Sequence, residues 1–226
     1  MSSAIAGLQT PGSIPAVSIQ GHIEYAIHDL INSLPDPDHL SAEQRRGIIA
    51  RYAAVLEGNF IYWMTAAYLS VRSEEARSII LENLLEEIRD CHPGMMRRFA
   101  LAAHAAPTDS DALAVYRDLS NVRLFVGRLS AAPILSMMAF FEGFIQRFMS
   151  FFADLAARQG SVEQEYTDVH GVCDIAHTQE LFRALAAEMA FADAPLPQPA
   201  LLEGVELLGL LIKTIVGPQV ADVPKA

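Results

Sequence analysis

The stretch Tyr166-Thr167-Asp168-Val169-His170-Gly171-Val172-Cys173-Asp174-Ile175-Ala176-His177 decides how the chain is read. It sets His170, Asp174 and His177 at i, i+4 and i+7. At about 100° per helical residue these side chains share one face of one helix. Two imidazoles and a carboxylate in one stripe suit a transition metal that takes mixed nitrogen and oxygen ligands, such as iron or manganese. The alternative is two histidines on one face by chance, satisfied by water. Other parts of the chain must supply the second half of a site for the metal reading to hold. Tyr166, one turn before His170 on the same face, is either a hydrogen-bond partner for the ligands or ordinary core packing.

Composition narrows the setting. The chain has 226 residues, 52% of them hydrophobic and 19% charged, enough to bury a full core in one domain. With 16 Lys+Arg against 27 Asp+Glu the net charge is −11, which argues against nucleic acid and anionic membranes as partners. Two cysteines, Cys91 and Cys173, make no disulfide scaffold and fit a reduced compartment. Both read as small apolar filler. Residues 1–20 read as a flexible N-terminal arm punctuated by Pro11, Gly12 and Pro15, with neither a signal nor a transit pattern. The longest apolar run, Ala131 to Phe141, is too short for a bilayer. A cytoplasmic protein is expected, with residues 21–217 as a single helical domain and 218–226 as a disordered tail.

Helical punctuation recurs along the chain. A short helix is expected over His22–Asn32. Ser41-Ala42-Glu43-Gln44 has capping-box spacing and opens a long helix to about Val71. Ser73 with Glu74 and Glu75 starts another, which runs to about Cys91 before His92-Pro93-Gly94 interrupts it. Helices follow over Met95–Ala106, from Thr108 towards Arg128, over 131–158 with Pro133 in the first turn, from Ser161 to about Ala192, and over Ala200–Val216. Asp193 to Pro199 reads as a stiff connector. No segment alternates long enough to be a strand, so the class is all-α, with seven or so helices.

Three further places offer ligands. Glu142 is the only charged residue between Arg128 and Arg147, set among Met137, Met138, Phe140, Phe141 and Phe144. A carboxylate there is expensive unless it holds a cation, either a metal or an arginine such as Arg123 or Arg147. Glu57 flanks the stripe made by Ile49, Tyr52, Ala53, Leu56, Phe60 and Trp63 and can point either way. On the next helix the apolar face is drawn through Ile80, Leu81, Leu84, Leu85 and Ile88. That wheel puts Glu87 and His92 on the flanks and Glu86 towards water. Glu87 is then the ligand, with Glu82 and Glu86 as alternatives. His22, His28, His39 and His104 fall outside the pattern and are expected to be structural or exposed.

With these residues in place, the chain from about Ala42 to Leu185 resembles the haem-oxygenase-like diiron oxidases. The matching pattern is Glu57 on the first core helix, Glu87 and His92 on the second, Glu142 on the third, and His170-x3-Asp174-x2-His177 on the last. The gap Ile88-Arg89-Asp90-Cys91 departs from members that carry a glycine-containing insertion there, and no proximal histidine for haem is evident. The resemblance implies a seven-helix haem-oxygenase-like bundle holding two irons, with O₂ as co-substrate and no haem. It gives Glu57, Glu87, Glu142 and Tyr166 catalytic roles. It further implies N-oxygenation, oxidative C–C cleavage or desaturation of a small amino-acid-like or carboxylic-acid substrate in specialised metabolite biosynthesis. Arg123, Arg128 or Arg147 would meet the substrate carboxylate. The expected partner is a small-molecule substrate, a homodimer being compatible with the pattern. The competing readings are a non-oxidative enzyme of the thiaminase-like or quinone-cofactor branch and a metal-free small-molecule-binding bundle.

Overall fold

The computed structural model describes residues 18–191 and 196–217. Most of the expected arm, the tail and part of the 193–199 connector lie outside those residues. Eight α-helices are present and, among the described residues, no strand: α1 Ile19–Asn32, α2 Ala42–Ser70, α3 Glu74–Arg89, α4 His92–Ala102, α5 Asp109–Val126, α6 Ala131–Arg158, α7 Glu165–Met189 and α8 Gln198–Val216, with a short 3₁₀ turn at Pro37–His39. The count exceeds the expected seven by one. Ser18 caps α1, so Ile19 and Gln20, assigned to the arm from sequence, are already helical.

Helix starts are set by side chains. Ser41 accepts from the Gln44 backbone N–H while the Gln44 side chain accepts from the Ser41 N–H, the reciprocal pair that opens α2. Thr108 and Asp111 do the same for α5, and Ser73 caps α3. One end differs from the sequence reading. The break after α3 lies at Asp90–Cys91, not at Pro93: Cys91 adopts φ 57 and ψ 45, and Pro93 sits comfortably in the first turn of α4. A left-handed cysteine costs about 1–2 kcal/mol. Its consequence is geometric, because it turns His92 back towards Glu87.

Helix α6 is apolar on nearly every face and forms the centre of the bundle, packed by α7, α8, α2 and α1. Phe144, Phe148 and Phe152 stack along it at one-turn spacing and meet Tyr52 and Phe99. Gly143 faces Thr178 while Met149 faces Gly171, so α6 and α7 run antiparallel. A Cβ on Gly143 would lie 2.8 Å from Ile27 Cδ1, so glycine lets α1 and α7 close on α6 beside Glu142. No helix among the described residues is long and apolar enough to cross a membrane.

Candidate metal centre

Four helices aim donors at one region: α3 with Glu86 and Glu87, α4 with His92, α6 with Glu142, and α7 with His170, Asp174 and His177. All but Glu86 are buried, and Glu86 keeps a side chain about one-third exposed. Two groups of three offer ligand atoms within 4.8 Å of one another, Glu87 with His92 and His170, and Cys173 with Asp174 and His177; Glu86 and Glu142 approach His177 beside the second.

The first group is already paired. His92 Nδ1 and Glu87 Oε1 are 2.6 Å apart, and the His92 and His170 rings meet edge-on at 4.6 Å. Burial works against a charged His92, but the Glu87 hydrogen bond and the nearby carboxylates outweigh it and raise its pKa. His170 Nδ1 donates to the backbone carbonyl of Tyr166 at 2.7 Å, which fixes the tautomer and leaves Nε2 with its lone pair. Burial first, and the charge of His92 second, push His170 down to about 4, so at neutral pH it is the neutral imidazole a metal requires.

The second group is looser. His177 Nδ1 lies 3.8 Å from Asp174 Oδ1 and 3.9 Å from Glu142 Oε2, while its Nε2 lies 3.3 Å from Glu86 Oε2. Glu142 and Asp174 are within hydrogen-bond reach of each other. Burial, then the charges of Asp174 and Glu87, drive the Glu142 carboxyl well above its ordinary range. Burial pushes Asp174 up to about 7, against the pull of its hydrogen bonds to Cys173 and Glu142. Two buried carboxyls this close share a proton unless a cation replaces it. Asp174 Oδ2 has no hydrogen-bond partner among the described residues.

Among the described residues no arginine pairs with Glu142. Arg147 binds Glu24 at 2.6 Å, Arg123 donates to Asn59 at 2.7 Å and Arg128 pairs with Glu203 at 2.8 Å. None of the three lines the cleft, so the expected grip of these arginines on a substrate carboxylate finds no support there. Each has an acceptor on its own side of the bundle.

Other sequence expectations also need correction. The Glu57 carboxylate pairs with Arg97 at the surface and does not join the cluster, although neighbouring Leu56 lines the cleft. The wheel drawn for α3 was rotated: Leu81, Leu85 and Ile88 are 38%, 51% and 54% exposed, whereas Asn83 and Glu87 are buried. The inner face of α3 mixes Ile80 and Leu84 with Asn83 and Glu87 where it meets the donors of α7, so counting apolar residues alone sets that face too far round. Glu86, expected to face water, therefore reaches His177, and Glu82 is the exposed one. The Tyr166 hydroxyl pairs with Tyr52 at 2.9 Å, while its backbone carbonyl holds His170. The partnership with Tyr52 left no signal beyond two aromatic core positions.

Between the donors lies a cleft with Leu56, Phe60, Ile61, Met96, Phe141 and Ile145 on its apolar side. Its free space is about 30 Å³, and a water needs roughly 10–15 Å³ on this measure. It has room for an ion or two, or waters. The donor set fits iron: neutral imidazole, carboxylates awaiting a cation in place of a proton, and one unpartnered buried oxygen. No curated protein matches the chain. A family model described as iron-containing redox enzyme matches residues 48–208, a span that holds every donor named above, and the chain belongs to that haem-oxygenase-like family of redox enzymes.

Proposed function

We propose that the chain is an O₂-activating non-haem diiron oxidase, acting on a small carboxylic-acid or amino-acid-like substrate by N-oxygenation, oxidative C–C cleavage or desaturation. The observation that carries this is two buried donor groups around one cleft that Glu142 also lines, with the Glu142 and Asp174 carboxyls within hydrogen-bond reach of each other. Glu87, His92 and His170 would hold one iron, and Asp174, His177 and Glu86 the other, with Glu142 between. Two bound Fe(II) ions would supply two of the four electrons that reduce O₂ to water, the substrate supplying the other two and an external reductant restoring the iron, chemistry that no side chain here supplies alone.

The chain's own residues do the remaining work. The Tyr166 carbonyl keeps the His170 lone pair aimed inward. A proton held between Glu142 and Asp174 would leave as metal enters. Phe60, Phe141, Ile145 and Met96 keep bulk water from the centre, which strengthens every electrostatic contact within it. With no Lys or Arg among the lining residues, the apolar side of the cleft favours the approach of a hydrocarbon segment of the substrate over that of a charged group. That favours the alkyl carboxylic acid over the polar amino acid.

The test is anaerobic reconstitution with Fe(II), followed by O₂ and a mass-spectrometric screen of amino acids and alkyl acids. About two irons per chain and O₂ uptake that rises with one substrate class support the reading. Iron bound at background level, with no substrate consumed, overturns it.

A further inference from the structure

Cys173 belongs to no role assigned so far, yet its Sγ donates to Asp174 Oδ1 at 3.1 Å. Asp174 is 1% exposed, and its other oxygen, Oδ2, has no partner. With only the Glu142 carboxyl in reach, and no N–H, O–H or S–H donor on Oδ2 among the described residues, a cation is the partner that satisfies this oxygen without a shared proton. Cys173, Asp174 and His177 offer atoms within 4.8 Å of one another, so the sulfur could either bind a cation itself or orient the carboxylate that does.

Charge decides between these. Glu86, Glu87, Glu142 and Asp174 supply four negative charges when ionised, which two divalent ions balance. A thiolate would add a fifth, uncompensated and partly buried. We propose that Cys173 is a positioning residue of the second cation position: its neutral thiol holds Oδ1 of Asp174 and thereby turns Oδ2 to the metal. This rests on the two-metal reading and deepens it.

Anaerobic titration of the full chain with Co(II), followed by calorimetry and absorption, tests it in wild type, Cys173→Ser and Cys173→Ala. Wild type should take two ions. Serine, an O–H donor of similar size, should keep the second affinity within about twofold, whereas alanine should weaken it roughly threefold to tenfold and spare the first, at the low end for loss of an outer hydrogen bond to a ligand. Alanine binding both ions like wild type overturns the proposal. So does a sulfur-to-cobalt charge-transfer band that disappears in Cys173→Ser, because it would make the thiolate a ligand. Absence of cobalt uptake by wild type would instead sink the two-metal reading itself.

Discussion

The two halves of the centre are built differently. In the first, Glu87 and His92 already satisfy each other at 2.6 Å and His170 is locked by a backbone carbonyl. In the second, the distances around His177 are 3.3–3.9 Å, Glu86 is partly exposed, and Asp174 keeps an oxygen without a partner. The first half is prepared by chain geometry, chiefly the left-handed joint at Cys91. The second is a cluster of like charges whose geometry becomes favourable only with a cation. Preorganisation and electrostatic frustration therefore sit side by side on the same helix, α7.

The largest expected effects come from breaking one half at a time. His92→Ala leaves Glu87 buried without its partner and should destabilise the metal-free protein by about 3 kcal/mol, as removal of one member of a buried pair does. Asp174→Asn should act in the opposite direction, raising metal-free stability by about 1–3 kcal/mol because it removes a poorly solvated acid. Denaturant unfolding of both variants measures this contrast. Iron titration should show Asp174→Asn weakening the second ion by about 100-fold or more and the first by much less, since losing a ligand exceeds the 10–100-fold typical of an outer partner.

pH sharpens the same contrast. Asp174 has a folded value of about 7, above its ordinary 3.8, and Glu142 shifts in the same direction. The stability they contribute is complete below pH 3.8 for Asp174 and is lost as pH rises through about 7. His170 is opposite: its folded value of about 4 lies below 6.5, so its contribution is present above pH 6.5 and lost as pH falls towards 4. Above pH 6.5 His170 no longer changes its contribution, so the loss from Asp174 dominates as pH rises through about 7, and the melting temperature of metal-free protein should fall there. Metal binding should release protons over this range and tighten with pH, which calorimetry in buffers of different ionisation enthalpy detects.

Two smaller changes act as controls on the comparison. Gly204→Ala would place a Cβ 2.5 Å from Phe125 Cε1 and 2.9 Å from Met137 Cβ. Overpacking of this kind costs about 1–3 kcal/mol, and it should leave iron stoichiometry unchanged. Cys91→Gly relieves the left-handed strain of about 1–2 kcal/mol but adds unfolded-state entropy, for a net gain of about 0.5–1 kcal/mol. Thermal melts should show the gain together with weaker binding of the first ion, because the joint that aims His92 becomes looser.

Much of this was legible beforehand for definite reasons. Helix starts follow from short-range rules, and Ser41, Ser73 and Thr108 each obey them. His170, Asp174 and His177 share a face because helical spacing alone requires it, and Glu142 announces itself as a lone charge in an apolar run. The second core helix was misread because a wheel assumes that apolar means inward. On α3 the inner face carries Asn83 and Glu87 beside Ile79, Ile80 and Leu84, while Leu81, Leu85 and Ile88 look out. The partner of Glu57 could not be foreseen either, because Arg97 lies on a helix whose direction depends on the backbone at Cys91. Long-range pairs such as Tyr52 with Tyr166 leave no local signature.

Anomalous diffraction from crystals of the iron-loaded protein tests the central claim most directly. The account predicts two iron peaks flanking the Glu142 carboxylate, roughly 3.5–4 Å apart, one beside His92 and His170 and the other beside Asp174 and His177. A single peak, or iron bound away from Glu142, would contradict it.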